Sequence, residues 1–263
     1  MSAIKVIIHG AAGRVGQSLM SGLVNEPGIK LVGALDLKVP ADQIKLVDGS
    51  VIPFSSNLSK IIDSTQPKVM VDFTIATAVM PAVRTAAKRG VHVVIGTTGL
   101  TVKDIAEIEE VTKENNVGAV VASNFALGAV LMMHFAKMAS KYFDYAEIME
   151  LHHHLKADAP SGTALNTAKG MASARSKPFL RTPDSSKNYP SRGQNVEGVN
   201  IHSVRLPGLM AHQEVMFGGP GQTLSIRQDT INRDCYVPGV ALAIKEVVKR
   251  KGLTQGLDSL IGF

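Results

Sequence analysis

The sequence predicts an α/β protein: a doubly wound, mostly parallel sheet carrying a second, smaller α+β domain. Three observations lead there. Over the first 125 residues, short Val/Ile-rich runs alternate with helix-period segments, the pattern of strands buried on both faces by helices. The first run leads directly into a glycine-rich turn. After about residue 126 the rhythm changes to longer alternating strands broken by a helix and a polar stretch. The expected division is therefore 1–125 with 236–263 as one domain, and 126–235 as the other.

Each element follows from its segment. Strands are expected at IKVIIHG (4–10), KLVGALD (30–36), VMVDFT (69–74), VHVVIGT (91–97) and GAVVAS (118–123). Helices are expected over 14–25, 57–64, 76–89 and 103–115, each a right-handed crossover between neighbouring parallel strands. From Val117 to Ala136 there is no Lys, Arg, Asp or Glu, a length that can span a bilayer. Ser123, Asn124 and His134 interrupt it, with Gly118 and Gly128 alongside, so it reads as a buried strand followed by a core-facing helix over 127–141. A strand over AEIMELHHH, a loop at LKADAPSG and a helix starting near Thr163 come next. Residues 176–200, rich in Pro, Ser, Asn and charge, read as a long surface loop. Strands at IHSVRL, HQEVMFGG and QTLSIRQD follow, and a last helix, GVALAIKEVVKRKG, returns to the first domain. No internal repeat or low-complexity tract is present.

Composition narrows the function classes. Of 263 residues, 45% are hydrophobic and 19% charged, which suits a packed protein and not a disordered one. One cysteine, Cys235, excludes an internal disulfide framework and a cysteine metal cage, and favours a reducing, cytoplasmic setting. The start, MSAIKVIIHGAAG, lacks the marks of a signal peptide. The net charge of +6 raises nucleic acid as a partner, but aromatics are only 5% and tryptophan is absent, leaving few stacking platforms. The excess is also local. Residues 156–205 hold eight basic and three acidic side chains, which suits attraction of a small dianion as well as a solvated loop.

IKVIIHGAAGRVGQ joins a strand to a helix through Gly10, Gly13 and Gly16. Glycines can be plain turn residues, but here each has a dinucleotide role. Gly10 permits the sharp turn, Gly13 lets backbone approach a pyrophosphate, and Gly16 lets helix and strand pack closely. The helix start offers N–H groups to phosphate. The spacing is G-x-x-G-x-x-G. Asp36, at the end of the second strand, suits a ribose hydroxyl and would repel a 2′-phosphate, whereas Lys38 and Arg14 would attract one. Gly96–Gly99 and Ala122–Phe125 each end a parallel strand, where ligands of open α/β sheets bind.

ELHHHLKADAPSGTA (150–164) is the most unusual segment. Strand alternation places His152 and His154 on one face with Lys156 if the strand persists, and His153 on the other. An ammonium beside the pair disfavours a bound cation, and no metal is expected. The segment has a bland reading as exposed polar structure. It also joins a titratable imidazole, an ammonium and a helix start with Ser161 or Thr163 near the cap, which together suit a carboxylate-bearing substrate that takes up hydride and a proton.

GAAGRVG, DFT (72–74), GTTG (96–99), ASNF (122–125), ELHHHLKADAPSGTA and HSVRLPGLMAHQEVMFGGPGQTLSIRQD together resemble the 4-hydroxy-tetrahydrodipicolinate reductase (dihydrodipicolinate reductase) family, nearly end to end. The resemblance implies a Rossmann-like dinucleotide-binding domain completed by C-terminal helices, and a central α+β domain that binds substrate and assembles a homotetramer. It implies NADH- or NADPH-dependent reduction of a cyclic unsaturated imine dicarboxylate to tetrahydrodipicolinate, in lysine biosynthesis through diaminopimelate. It places cofactor contacts on Gly10, Ala11, Ala12, Gly13, Arg14, Val15, Asp36, Gly96, Thr97, Thr98, Ala122, Ser123, Asn124 and Phe125. Catalysis falls on His152 and Lys156, with substrate contacts at His153, Gly162 and Thr163. Some members carry an arginine directly after the acidic residue of the second strand. Here that position is Leu37, followed by Lys38.

Three other readings stay open on sequence alone: a Rossmann reductase of another imine or oxo acid, a non-catalytic NAD-binding protein, and a nucleic-acid-binding protein. Within the favoured one, Lys156 is expected to donate the proton, with His152 as its hydrogen-bonding partner.

Overall fold

The computed structural model describes residues 2–180 and 190–262. The chain forms two compact units, Met1–Leu127 with Arg233–Phe263, and Gly128–Asn232.

The first unit begins with β1 (Ile4–His9), α1 (Arg14–Leu23), β2 (Ile29–Leu35), β3 (Gln43–Lys45), β4 (Val51–Ser55) and α2 (Leu58–Thr65). It continues with β5 (Val69–Asp72), α3 (Ala76–Ala87), β6 (His92–Ile95), α4 (Val102–Glu114) and β7 (Gly118–Val121). The second unit holds α5 (Leu127–Ala139), β8 (Tyr145–His152), α6 (Gly162–Ser173), β9 (Gln194–Val196), β10 (Val199–Arg205), β11 (Ala211–Gly219) and β12 (Gln222–Thr230). The chain then returns to the first unit with α7 (Val237–Val247), β13 (Gly252–Gln255) and α8 (Asp258–Ile261).

In the first unit the strand order is β13-β7-β6-β5-β1-β2-β4-β3, parallel throughout except for the edge pair β3–β4. The chain winds one way from β1 to β2 and the other way from β5 onward, so β1 and β5 flank the switch point. All these parallel strands end at one edge. β5 and β6 are buried at every residue, as their unbroken apolar runs require. α1 buries Gly16, Leu19, Met20 and Leu23, a stripe at helical spacing. α4 starts with a capping box: Thr101 Oγ1 accepts from Asp104 N at 3.2 Å, and Thr101 N donates to Asp104 Oδ2 at 2.7 Å. The uncharged stretch from Val117 is β7 followed by α5, and among the described residues no helix is long and apolar enough to cross a membrane.

Four strands of the structure are absent from the sequence reading, each for a physical reason. β3 is a three-residue edge strand held only by its antiparallel pairing with β4. β4 carries Pro53, which marks an edge or non-strand position, and it pairs with β2 at only Ala34–Phe54 and Leu35–Ser55. β9 lies inside the polar stretch read as loop; residues 181–189 of that stretch are outside the described residues. β13 has neither apolar run nor alternation and is held by its ladder to β7. The last long helix accordingly ends at Val247, short of the expected Gly252.

The second unit is a mixed sheet in the order β12-β11-β8-β10-β9. β8 is central, antiparallel to β11 and parallel to β10. Ala146 and Ile148 on β8 pack with Val215, Phe217 and Ile201 of the sheet and with Ala136, Ala164, Ala168 and Met171 of α5 and α6. Alternation puts Glu150 and His152 in the same phase as Ala146 and Ile148.

Candidate active site

At the edge where the parallel strands end, Gly10 has φ +88°, and an added Cβ would lie 2.5 Å from the Phe73 carbonyl oxygen. A Cβ on Gly16 would lie 2.1 Å from the Gly10 carbonyl oxygen, so only glycine lets α1 sit this close to the turn. Gly13 is the residue before α1, and no side chain caps that helix start. Arg14 and Val15 open the helix, Arg14 exposed. Ala11 is buried, and Ala12 N donates to Asp36 Oδ2 at 2.9 Å, so the turn and the acidic residue after β2 are tied together. Lys38 N donates to the other Asp36 oxygen, and Leu37 is exposed.

The neighbouring strand ends complete this edge. Gly96 follows β6, and its Cα faces the Phe73 ring at a distance no Cβ would tolerate. Thr97 is buried, its hydroxyl donating to Asp72 Oδ1 at 2.7 Å, while Thr98 is exposed. Ala122 and Phe125 are buried, Ser123 is exposed, and Asn124 Oδ1 accepts from Ala126 N at 2.8 Å in a tight turn. The predicted residues on this edge thus come together around β1, β5, β6 and β7. Two that the sequence reading left without a role, Asp72 and His9, organise it. Asp72 is fully buried and accepts from His9 Nδ1 at 2.7 Å and from Thr74 Oγ1 at 2.9 Å. The signal was present: an aspartate closing the apolar strand VMVD.

In the second unit, β8 ends at His152, and His153 and His154 have left the strand. Lys156 N donates to the His153 carbonyl in a turn, so the expected common face of His152, His154 and Lys156 does not form. His152 and Lys156 do not bond each other either. His152 Nδ1 donates to Glu150 Oε2 at 2.5 Å, and Lys156 Nζ donates to both Asp158 oxygens, at 2.7 and 2.9 Å. Each candidate catalytic group has a carboxylate of its own. Among the described residues, no group of three His, Cys, Asp or Glu is placed to hold a metal ion.

Glu150 is the centre of this cluster. It is fully buried, and Arg205 grips it with two bonds, Nη1 to Oε2 at 2.9 Å and Nη2 to Oε1 at 2.8 Å. Burial by itself pushes the Glu150 carboxyl up, but bonds from His152, Arg205 and Ser203 outweigh it and hold the group down at about 2. Arg205 also donates to the Asp158 carbonyl at 2.6 Å. Ser161 N donates to Glu150 Oε1, and Ser161 Oγ caps α6 by accepting from Ala164 N at 3.2 Å. That hydroxyl is buried and committed to the helix. The N–H groups of Gly162 and Thr163 are the first-turn donors that remain for a ligand, with Gly162 exposed and Thr163 half-buried. Glu150 and Arg205 escaped the sequence reading, although Glu150 stands in the apolar phase of its strand, an odd place for a carboxylate.

Part of the local positive excess is answered by ion pairs; Arg181 and Lys187 of that count lie outside the described residues. Lys156, Arg175, Arg192 and Arg205 pair with Asp158, Asp144, Glu147 and Glu150.

Profiles described as "Dihydrodipicolinate reductase, N-terminus" and "Dihydrodipicolinate reductase, C-terminus" match residues 4–125 and 128–261. The chain belongs to the dihydrodipicolinate reductase family. It is 51% identical to a 4-hydroxy-tetrahydrodipicolinate reductase of Dehalococcoides mccartyi over 99% of both chains, and 46% identical to that of Moorella thermoacetica over 100% of both. A dipicolinate-bound dihydrodipicolinate reductase from Paenisporosarcina sp. TG-14 is 38% identical, with a TM-score of 0.87 over 97% of this chain and 98% of that one. An amine dehydrogenase from Mycobacterium smegmatis, at 14% identity and TM-score 0.67, shares the fold alone. The family is one of oxidoreductases, and it implies a nicotinamide cofactor. The first unit fits one: the uncapped start of α1, the cradle that a Cβ at Gly10 or Gly16 would fill, and a tethered carboxylate at Asp36.

Proposed function

We propose that this chain is a 4-hydroxy-tetrahydrodipicolinate reductase that forms tetrahydrodipicolinate for lysine biosynthesis through diaminopimelate. The observation that carries this beyond membership of the family is the cluster after β8. There an imidazole, an ammonium and two uncommitted helix N–H groups gather within one loop. The substrate class is a cyclic unsaturated imine dicarboxylate. Its carboxylate is received by the Gly162 and Thr163 N–H groups, with His153 as a further contact.

When bound, the cofactor supplies a hydride. Gly10 to Val15 hold its pyrophosphate, Asp36 its ribose, and Gly96 to Thr98 and Ala122 to Phe125 border it. Hydride arrival leaves an electron pair on the substrate ring that a proton must quench. Lys156 holds that proton on Nζ and, as a cation, stabilises the charge that builds before the transfer. Binding of the substrate carboxylate competes with Asp158 for the ammonium. His152, the last residue of β8, is the second candidate proton carrier of the site.

Asp36, fixed by Ala12 N and Lys38 N, favours NADH, because a 2′-phosphate would meet its charge and Leu37 offers no compensating cation. Lys38 and Arg14 leave some use of NADPH. Residues 126–235 serve as the substrate-binding and oligomerisation domain of a cytoplasmic homotetramer. Support for assembly comes from large apolar side chains left in solvent, Phe135, Met138, Tyr142 and Leu224 among them.

The test is turnover of freshly made dihydrodipicolinate synthase product with each cofactor in turn. Oxidation of NADH, and more slowly of NADPH, is expected. No oxidation of either, with turnover on another imine or oxo acid, would replace this reading with that of a different Rossmann reductase.

A further inference from the structure

We propose that Glu150 is the positioning residue of this site: its buried carboxylate, clamped by Arg205 and by the start of α6, fixes the His152 imidazole with a proton on Nδ1. The proposal deepens the reading above and rests on His152 being a catalytic group.

A carboxylate has no proton to give when ionised, so the short contact between His152 Nδ1 and Glu150 Oε2 requires the imidazole to be the donor. Nε2 is then the nitrogen available to substrate, as acceptor in the neutral ring and as donor in the charged one. Glu150 cannot take the proton itself. Arg205 lies along both of its oxygens, Ser161 N reaches Oε1, and the carboxyl is held at about 2. A buried anion without partners would cost several kcal/mol, so such an arrangement persists only when every oxygen is answered. Here they are.

Register shows why no other residue serves. On β8, Glu150 lies opposite Ser203 of β10 and Gln213 of β11, while His152 lies opposite Arg205 and Ala211. Within the sheet, the charged neighbours of the imidazole are Glu150 on its own strand and Arg205 on β10. Arg205 is a fixed cation aimed at Glu150, and β11 contributes none at these two positions. The same carboxylate reaches the other functional parts. Through Ser161 N it holds the start of α6, and through Arg205 Nη2 it holds the Asp158 carbonyl, whose side chain carries the Lys156 ammonium. Buried carboxylates that orient catalytic histidines in hydrolases act by the same logic, setting tautomer and ring angle without accepting the proton.

The test is nitrogen NMR on the full-length protein carrying ¹⁵N-labelled histidine, with steady-state kinetics on Glu150→Gln and Glu150→Asp. Wild-type His152 is expected to show a protonated Nδ1 and, in the neutral ring, an unprotonated Nε2. Glu150→Gln should mix the tautomers and lower kcat about tenfold or more, with NADH affinity unchanged. Glu150→Asp, which keeps the charge, should recover part of kcat. A wild-type spectrum with the proton on Nε2, or a Gln variant with unchanged tautomer and unchanged kcat, overturns the proposal. Should Glu150→Gln fail to fold, the wild-type spectrum decides by itself. Absence of turnover by the wild type overturns the functional reading instead and leaves the spectrum to decide the pairing.

Discussion

The turn after β1 and the loop after β8 each offer a helix start to an anion, but they differ in what surrounds it. The first is made of backbone: Gly10, Gly13 and Gly16 remove side chains so that N–H groups and a helix start can face a phosphate. The second adds ionisable side chains to its helix start, and each is partnered before any ligand arrives: Lys156 by Asp158, and Arg205 and the His152 ring by Glu150. Backbone donors have no protonation state to lose, which suits a cofactor bound in every cycle. Matched ion pairs hold groups whose protons must move, which suits the chemical step. Substitutions in the two regions should therefore fail differently.

The sharpest division comes from Lys156→Ala and His152→Ala, each expected to lower kcat by about 10²-fold or more while cofactor affinity stays within about twofold. Steady-state rates beside a dinucleotide titration check both halves, and wild-type-like turnover in either variant would break the comparison. Acid should attack the second region through Glu150. Its carboxyl lies at about 2 when folded against an ordinary 4.5, so its contribution is present above about pH 4.5 and disappears as pH falls towards 2. That contribution is roughly 3 kcal/mol. Urea unfolding across that range should show a steeper slope in the wild type than in Glu150→Gln, where other lowered carboxylates such as Asp158 and Asp229 keep part of it.

Gly16→Ala tests the first region, because its Cβ would collide with the Gly10 carbonyl. A cost of about 1–3 kcal/mol in stability and a clear loss of NADH affinity are expected, with kcat at saturation changed much less. Leu37→Arg should move the ratio of NADPH to NADH affinity about tenfold towards NADPH, about 1.4 kcal/mol, read from paired titrations. The smallest effect belongs to Thr101→Ala, whose hydroxyl bonds Asp104 in the cap of α4. Loss of the capping box should lower stability by about 1 kcal/mol and leave kinetics untouched.

What the sequence made legible follows the same division. The Val/Ile runs of β1, β5, β6 and β7 and the three glycines speak through local spacing, and spacing survives in one dimension. β4 and β13 were hidden because their pairing, not their composition, makes them strands. Glu150 and Arg205 were hidden for a related reason. Their bond spans 55 positions of chain, and neither residue is unusual beside its own neighbours. Counting charges found the excess near Lys156 but not that Arg175, Arg192 and Arg205 of it pair with Asp144, Glu147 and Glu150, which lie before the counted stretch. His152, Lys156, Gly162 and Thr163 could be proposed from the sequence because all four fall within one short stretch.

β13 pairs with β7 along Gly252–Gly118 to Gln255–Val121, which gives the edge of the first sheet its last neighbour. During synthesis, that edge stays without its partner until residues 252–255 have left the ribosome. The whole of the second unit is made in the meantime. The interrupted chain thus orders assembly in time: the inserted unit can settle before the sheet around its two attachment points is sealed. Chains released early would carry an open strand edge, a ready handle for chaperones and proteases.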